Sequence, residues 1–108
     1  MSRAVGNRAE TIATEFLMRQ GCRIVDRNVY SRFGEIDIVA EKAGVLRFVE
    51  VKSGTTFEPI YNITPAKLGR LIRSIEAYLK KNRLDLPFQL DAVIVRGTAC
   101  EWVENITI

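Results

Sequence analysis

The chain has 108 residues, of which 47% are apolar and 27% charged, and its net charge is +3. This size and balance are typical of one globular domain, so we expect residues 1–108 to form a single domain. No window reaches the roughly 18 uninterrupted apolar residues that a membrane span needs. The polar, basic N-terminus has no signal-peptide core, and we therefore expect a cytoplasmic protein with no membrane partner.

Histidine is absent and there are only two cysteines. These counts exclude triads with a histidine base, Cys₂His₂ zinc fingers and histidine-ligated metals. Cys22 and Cys100 lie far apart in the sequence and are interpreted as small core residues, with a disulfide as the less favoured alternative. Any chemistry must come from carboxylates, lysines, hydroxyls or a metal bound through oxygen.

Hydrophobic periodicity predicts one helix and three strands in the first half of the chain. The apolar residues of the first segment recur at helical spacing, and Gly21 then suits a helix C-terminus. The following segments are strand-like, and a short turn at 42–44 joins the last two into a β-hairpin. We predict a helix at 3–20 and strands at 22–30, 35–41 and 45–52.

The second half begins with a segment, 53–63, that has no clear period and is interpreted as a loop. Thr64 and Pro65 then form a typical helix start, with Thr as the N-cap and Pro at the first helical position. This helix ends near Asn82, and strands follow at 88–95 and from Gly97-Thr98 through Trp102. The order α-β-β-β-α-β-β predicts an α/β domain with a mixed sheet flanked by two helices.

The hairpin register determines which side chains meet. If 42–45 form the turn, residues whose numbers sum to 87 lie opposite each other, so Asp37 faces Glu50 and Glu35 faces Lys52. A slip of one residue would move the acids into the apolar layer, and alternation therefore supports this register. The residues expected on the opposite, apolar face are Ile36, Ile38, Val49 and Val51.

Two ionised carboxylates ~5 Å apart repel by about 3 kcal/mol at an effective dielectric near 20. A bound divalent cation would convert this repulsion into coordination, and Mg²⁺ or Mn²⁺ suits the carboxylates of Asp37 and Glu50 and the carbonyl of Val51. Lys52, on the same face, could then orient an attacking water. The alternative is a solvent-facing hairpin in which Glu35 and Lys52 form a surface pair worth less than about 1 kcal/mol.

The hairpin also carries a family resemblance. The D-x(n)-E-x-K pattern of restriction-endonuclease-like nucleases is present as Gly34-Glu35-Ile36-Asp37-Ile38-Val39-Ala40 followed by Phe48-Val49-Glu50-Val51-Lys52. From about Gly6 to Val95 the chain resembles the YraN-type family of small bacterial proteins, which is related in fold to archaeal Holliday-junction resolvases. Further elements that carry this resemblance are Gly6-x-x-x-Glu10, Ala13, Phe16-Leu17, Gly21, Arg27-Asn28, Lys67 and Leu90-Asp91-Ala92-Val93.

The resemblance implies a restriction-endonuclease-like fold with Asp37 and Glu50 as metal ligands. It also implies that Lys52 is the catalytic lysine and that Glu10, on the first helix, is a further acidic member of the site. The chain departs from the wider superfamily at Ile36, which takes the place of a proline. The second helix also lacks the glutamine that some related nucleases use near the metal, and Lys67 is the nearest polar candidate there, more for phosphate contact than for catalysis.

These observations predict a metal-dependent DNA endonuclease that acts on DNA, including branched recombination intermediates, as a homodimer with Mg²⁺ or Mn²⁺. One alternative is an accessory module that binds nucleic acid on a nuclease-derived fold with vestigial acids. A second, weaker alternative is a structural assembly protein that acts through the loop containing Phe57, Ile60 and Tyr61. The basic residues expected to contact nucleic acid are Arg27, Arg32, Lys67 and Arg70.

Three lesser features have two interpretations each. The loop aromatics could contact DNA or a second subunit, or could pack on their own core. Tyr30, Arg32 and Phe33 could meet substrate, and a plain β-turn explains them equally well. Asp91, in the fourth strand, is a buried-acid candidate for which we expect a structural hydrogen-bonding role.

Overall fold

The computed structural model describes residues 3–54 and 64–106, with side chains described from residue 8 onward. Helices and strands follow one another in the predicted order. The elements are α1 (Arg3–Arg19), β1 (Arg23–Ser31), β2 (Gly34–Lys42), β3 (Val45–Ser53), α2 (Pro65–Lys81), β4 (Phe88–Arg96) and β5 (Ala99–Val103). Within these ranges, neither helix is long and apolar enough to cross a membrane.

The five strands form one sheet in the spatial order β1-β2-β3-β4-β5. Neighbouring strands are antiparallel except for β3 and β4, which are parallel and are connected through α2. A parallel pair needs a crossover connection, and a helix is its usual form. The predicted mixed α/β sheet is therefore confirmed.

The two helices cover opposite faces of this sheet. Residues of α1, such as Ala13 and Leu17, pack against Ile38 and Val49 in one buried cluster. Residues of α2, such as Ile75, pack in a second cluster on the other face. The sheet therefore lies between two apolar layers, and polar groups that point into either layer need partners.

The start of α2 follows the prediction closely. Thr64 is the N-cap, and its side chain accepts a hydrogen bond from the backbone amide of Lys67 at 3.1 Å. Pro65 occupies the first turn, where its missing N–H costs nothing. Asn82 is the C-cap. These caps fix which residues stand on the first turns of α2, and those turns line the candidate site.

The β2–β3 hairpin has the predicted register. Its pairs run from Lys42 opposite Val45 to Ile38 opposite Val49, and every pair sums to 87. Asp37 and Glu50 come directly after the last of these pairs.

The prediction for the apolar face is wrong at one residue. Ile38, Val49 and Val51 pack on the α1 side, whereas Ile36 is buried in the cluster on the α2 side. The alternation between faces thus breaks between Ile36 and Ile38. This break lies at Asp37, beyond the last pair of the β2–β3 ladder and between the β1–β2 pairs Arg27–Ile38 and Val29–Ile36, where Asn28 of β1 has a positive φ of 52°.

Asp91 has the structural role that the sequence predicts. Its side chain is fully buried and accepts hydrogen bonds from Gln89 Nε2 at 2.8 Å, Trp102 Nε1 at 2.9 Å and the backbone amide of Asn105 at 2.8 Å. The guanidinium of Arg47, itself largely buried, lies 4.0 Å away. This network ties β3, β4 and the segment after β5 together.

We expect Asp91→Ala to lower the free energy of unfolding by roughly 3–5 kcal/mol, because it leaves the buried donors of this network without their acceptor and removes one of the two acids beside Arg47. Urea denaturation measures this loss. The matched control is Glu101→Ala, which removes an exposed acid 3.2 Å from Arg96 and should cost less than about 1 kcal/mol. Equal losses in the two variants would contradict the structural role of Asp91.

Candidate functional site

A cavity of about 330 Å³ opens between the β2–β3 hairpin and the first turns of α2. It gathers Asp37 from β2, Glu50 and Lys52 from β3, and Lys67 and Arg70 from α2. The remaining lining residues are Phe33, Gly34, Glu35 and Leu71. Five residues that the sequence proposes for one site thus line one cavity.

Asp37 and Glu50 form the innermost part of this cavity. Glu50 is buried, and the two carboxyl groups are hydrogen-bonded to each other. The backbone amide of Val51 donates to Asp37 Oδ2 at 2.8 Å. Since two ionised carboxylates cannot share a hydrogen bond, this pair holds a proton when no cation is bound between them.

Burial, together with the neighbouring charge of Asp37, raises the pKa of Glu50 to about 8, against the opposing effect of Lys52 and Lys67. Burial also raises the pKa of Asp37, although the hydrogen bond from Val51 lowers it. Because ligand carboxylates must be deprotonated, a cation bound at this pair would displace the proton.

Two lysines stand beside the acids. Lys67 Nζ lies 3.9 Å from Glu50 Oε1. Lys67 thus forms an ion pair with an acid of the site, in addition to the phosphate contact that the sequence proposes for it. Lys52 is half-buried; burial lowers the pKa of its ammonium, as does the adjacent ammonium of Lys67. An ammonium whose pKa is lowered releases and takes up a proton more readily near neutral pH.

Glu10 and Glu35 form a second acidic group around Asp37. One carboxylate oxygen from each of these three residues lies within 4.8 Å of the other two. Burial is the main factor that raises the pKa of Glu10, followed by the charges of Asp37 and Glu35. The structure thus brings Glu10 to the site, as the family resemblance implies.

Sequence reasoning missed Glu35, which it assigns to a surface pair with Lys52. The structure groups one carboxylate oxygen of Glu35 with those of Glu10 and Asp37. A signal was present, because Glu35 and Asp37 are two residues apart on one strand and share a face in a regular strand.

Asn28 in β1 connects the second acidic group to the sheet edge. The side-chain amide of Asn28 is assigned the orientation in which its nitrogen faces two carboxylate oxygens. This nitrogen donates to Glu10 Oε1 at 2.7 Å and to Glu35 Oε1 at 2.9 Å. Its φ is 52°, and among the described residues no other non-glycine residue inside a strand has a positive φ. Asparagine tolerates this left-handed conformation better than most residues, and such strain is frequent at functional sites.

The other two basic residues proposed from the sequence are not among the residues that line the cavity. Arg27 Nη2 is 3.9 Å from Glu10 Oε1. Arg32 is exposed at the β1–β2 turn, with its guanidinium carbon 4.8 Å from the centre of the Phe33 ring. The candidate loop residues Phe57, Ile60 and Tyr61 lie outside the residues that the structure describes.

Comparison with known proteins identifies the family to which this chain belongs. The model of the family described as "Uncharacterised protein family UPF0102" matches residues 9–95. The chain belongs to the UPF0102 family. The resemblance to the YraN-type family is thereby confirmed, and the matched range contains all four predicted catalytic residues, Glu10, Asp37, Glu50 and Lys52.

Relatives match over nearly their whole length. The UPF0102 protein of Wolinella succinogenes is 58% identical over 108 residues, which are all of both chains. The UPF0102 protein of Helicobacter pylori strain HPAG1 is 51% identical over 105 residues, covering 97% of this chain and 92% of its own. That of Helicobacter hepaticus is 48% identical over 107 residues, covering 99% and 97%.

In metal-free buffer, we expect the free energy of unfolding of this UPF0102 protein to fall as the pH rises from about 4.5 to about 8. The folded state keeps the Glu50 proton, since its pKa is raised to about 8, while the unfolded chain releases it near the ordinary value of 4.5. The free energy of unfolding is therefore greatest below the pKa that Glu50 has in the unfolded chain. It falls as the pH rises toward the pKa of Glu50 in the folded state, by at most about 1.4 kcal/mol per pH unit.

Denaturation curves of Glu50→Gln across the same pH range test this expectation. The variant should lose most of the slope, because glutamine has no proton to release. Glu15→Gln, which changes an exposed acid of α1, should keep it. An unchanged slope in Glu50→Gln would contradict the assignment of the raised pKa to this carboxyl.

Proposed function

We propose that this UPF0102 protein is a metal-dependent endonuclease that hydrolyses phosphodiester bonds in DNA. The observation that carries the proposal is the pairing of buried Glu50 with half-buried Asp37 in one cavity with Lys52 and Lys67. Burying two adjacent acids is costly for a fold unless a cation or a proton compensates them. Such a pair beside two lysines has the composition of a site that holds a cation and a phosphate together.

The donor set fits Mg²⁺ or Mn²⁺. Asp37 and Glu50 offer carboxylate oxygens and Val51 a backbone carbonyl, which are the hard ligands that these ions prefer. The hydrogen bond from the Val51 amide fixes the Asp37 carboxylate in place, as the outer partners of metal ligands commonly do. When bound, the ion would polarise the scissile phosphate and acidify a water.

The remaining residues of the site have roles that follow from their places. Lys52, half-buried and next to both acids, is suited to orient the attacking water and to hold or release a proton at Nζ. Lys67 and Arg70, on consecutive turns of α2, face the phosphate from the other wall of the cavity. Glu10, held by Asn28 and Arg27, would bind the outer waters of the site.

The substrate in this proposal is DNA, including branched DNA. Arg27 and Arg32 extend the positive charge of the cavity walls beyond Lys67 and Arg70, and cationic side chains supply most of the affinity for phosphates. A homodimer would place two such sites on two symmetry-related strands, as cutting a branched intermediate requires.

Cleavage of plasmid and branched DNA by the purified protein tests the proposal. We expect nicking with added Mg²⁺ or Mn²⁺ and none in chelator. Asp37→Asn should reduce the rate at least ~100-fold, because it removes a carboxylate that would hold the metal ion at the reacting phosphate. Glu15→Gln, the same kind of change on the exposed side of α1, should cut like wild type.

Equal cleavage by wild type and Asp37→Asn would mean that the activity belongs to a contaminant. Salt-sensitive DNA binding without cleavage on any of these substrates, with either metal, would contradict the enzyme and support a non-catalytic DNA-processing accessory module.

A further inference from the structure

A second cavity, of about 270 Å³, lies between β1 and α2. No step of the proposed hydrolysis uses it. One wall comes from the edge strand of the sheet and the other from the third to fifth turns of α2. Its principal lining residues are Asp26, Asn28, Tyr30, Ser74, Tyr78 and Lys81.

This β1–α2 cavity adjoins the acidic site at two points. Asn28 lines it and also donates hydrogen bonds to Glu10 and Glu35. On α2, Leu71 lines the acidic cavity and Ser74 lines the second one, about one turn later. The hydroxyl of Ser74 lies 3.1 Å from that of Ser31, so this pair of serines connects β1 and α2 in the lining of the second cavity.

Tyr30 gives the second cavity an aromatic wall. Its side chain is 70% exposed, which is the highest value among the large hydrophobic residues that the structure describes as exposed. Leaving so much ring surface in water is unfavourable, and an aromatic ring beside a nucleic-acid site is a stacking surface that accepts any base.

The polar groups of the cavity suit a base better than a phosphate. Asp26 accepts hydrogen bonds from the Arg27 backbone amide at 2.9 Å and from the Tyr78 hydroxyl at 3.3 Å, and its carboxylate would repel a phosphate. It can accept from the exocyclic amine of a base, and Lys81 supplies donors at the other end. The volume is just below that of sites for drug-sized ligands, as a single ring system requires.

We propose that the β1–α2 cavity binds one unpaired nucleobase stacked on Tyr30, so that the substrate has a single-stranded stretch beside the phosphate in the acidic cavity. The part of this inference that places a phosphate of the substrate in the acidic cavity rests on the proposed endonuclease. A base inside a duplex is paired and stacked between its neighbours, so it would first have to leave its pair to enter this cavity.

Equilibrium binding of a fluorescent single-stranded oligonucleotide and of a blunt hairpin duplex tests the pocket. We expect Tyr30→Leu to weaken single-strand binding about five- to 100-fold, because it removes the stacking ring. Duplex binding should change less than about two-fold. Tyr30→Phe keeps the ring and should bind both like wild type. Because the residue is exposed, all three proteins should fold, and far-UV circular dichroism checks this.

Three results would overturn the pocket: equal losses on both DNAs in Tyr30→Leu, no loss on the single strand, or the same loss in Tyr30→Phe. Measurements are made in chelator and again with Ca²⁺, and undetectable single-strand binding in both buffers also counts against it. If the protein binds single strands through Tyr30 but does not cut DNA, only the endonuclease proposal is contradicted. If Tyr30→Leu binds and cuts DNA as wild type does, only the pocket is contradicted.

Discussion

The site depends on the pairing of β2 with β3. Ile38 and Val49 are fully buried opposite each other, and Phe48 is fully buried on the other face. Moving either strand by one residue would place apolar side chains in the cavity and carboxylates in an apolar layer. The register that fills the core is therefore the same register that brings Asp37 beside Glu50. The stability of the hairpin thus supports the burial of two adjacent acids.

The helices complete the site from opposite sides of the sheet. The Thr64 cap fixes where α2 starts, and Lys67 consequently stands on its first turn, 3.9 Å from Glu50. Glu10 comes from α1, whose apolar stripe holds it against the other face of the sheet. Asn28 then ties Glu10 to Glu35 at the strand edge. The packing of α1 and α2 on the sheet therefore determines which charged residues reach the site, as much as the hairpin does.

The sequence was sufficient for the features that depend on periodicity and on short-range rules. The element order, the α2 cap at Thr64 and the β2–β3 register all follow from residues close to one another in the chain. Asp37 and Glu50 could be paired for the same reason. Apolar alternation could also be extended too far. It assigned Ile36 to the wrong face, because the strands change face where Asn28 of β1 has a positive φ, between the pairs Arg27–Ile38 and Val29–Ile36.

Contacts between layers could not be predicted in this way. The grouping of Glu35 with Glu10 depends on how α1 lies across the sheet, and the ion pair of Lys67 with Glu50 depends on how α2 does. The left-handed backbone of Asn28 has no signature in the strand pattern, since asparagine also adopts ordinary extended conformations. Such features are set by the packing of whole elements, which a one-dimensional pattern does not contain.

The central claim is that Asp37 and Glu50 together hold a divalent cation. Anomalous diffraction from crystals soaked in Mn²⁺ tests it most directly, because the signal identifies the ion and its ligands at once. We expect one peak within about 2–2.5 Å of an oxygen from each carboxylate, and its loss in Asp37→Asn crystals. A well-ordered site with no peak at saturating Mn²⁺, or with carboxylates pointing to opposite faces of the sheet, would contradict the claim.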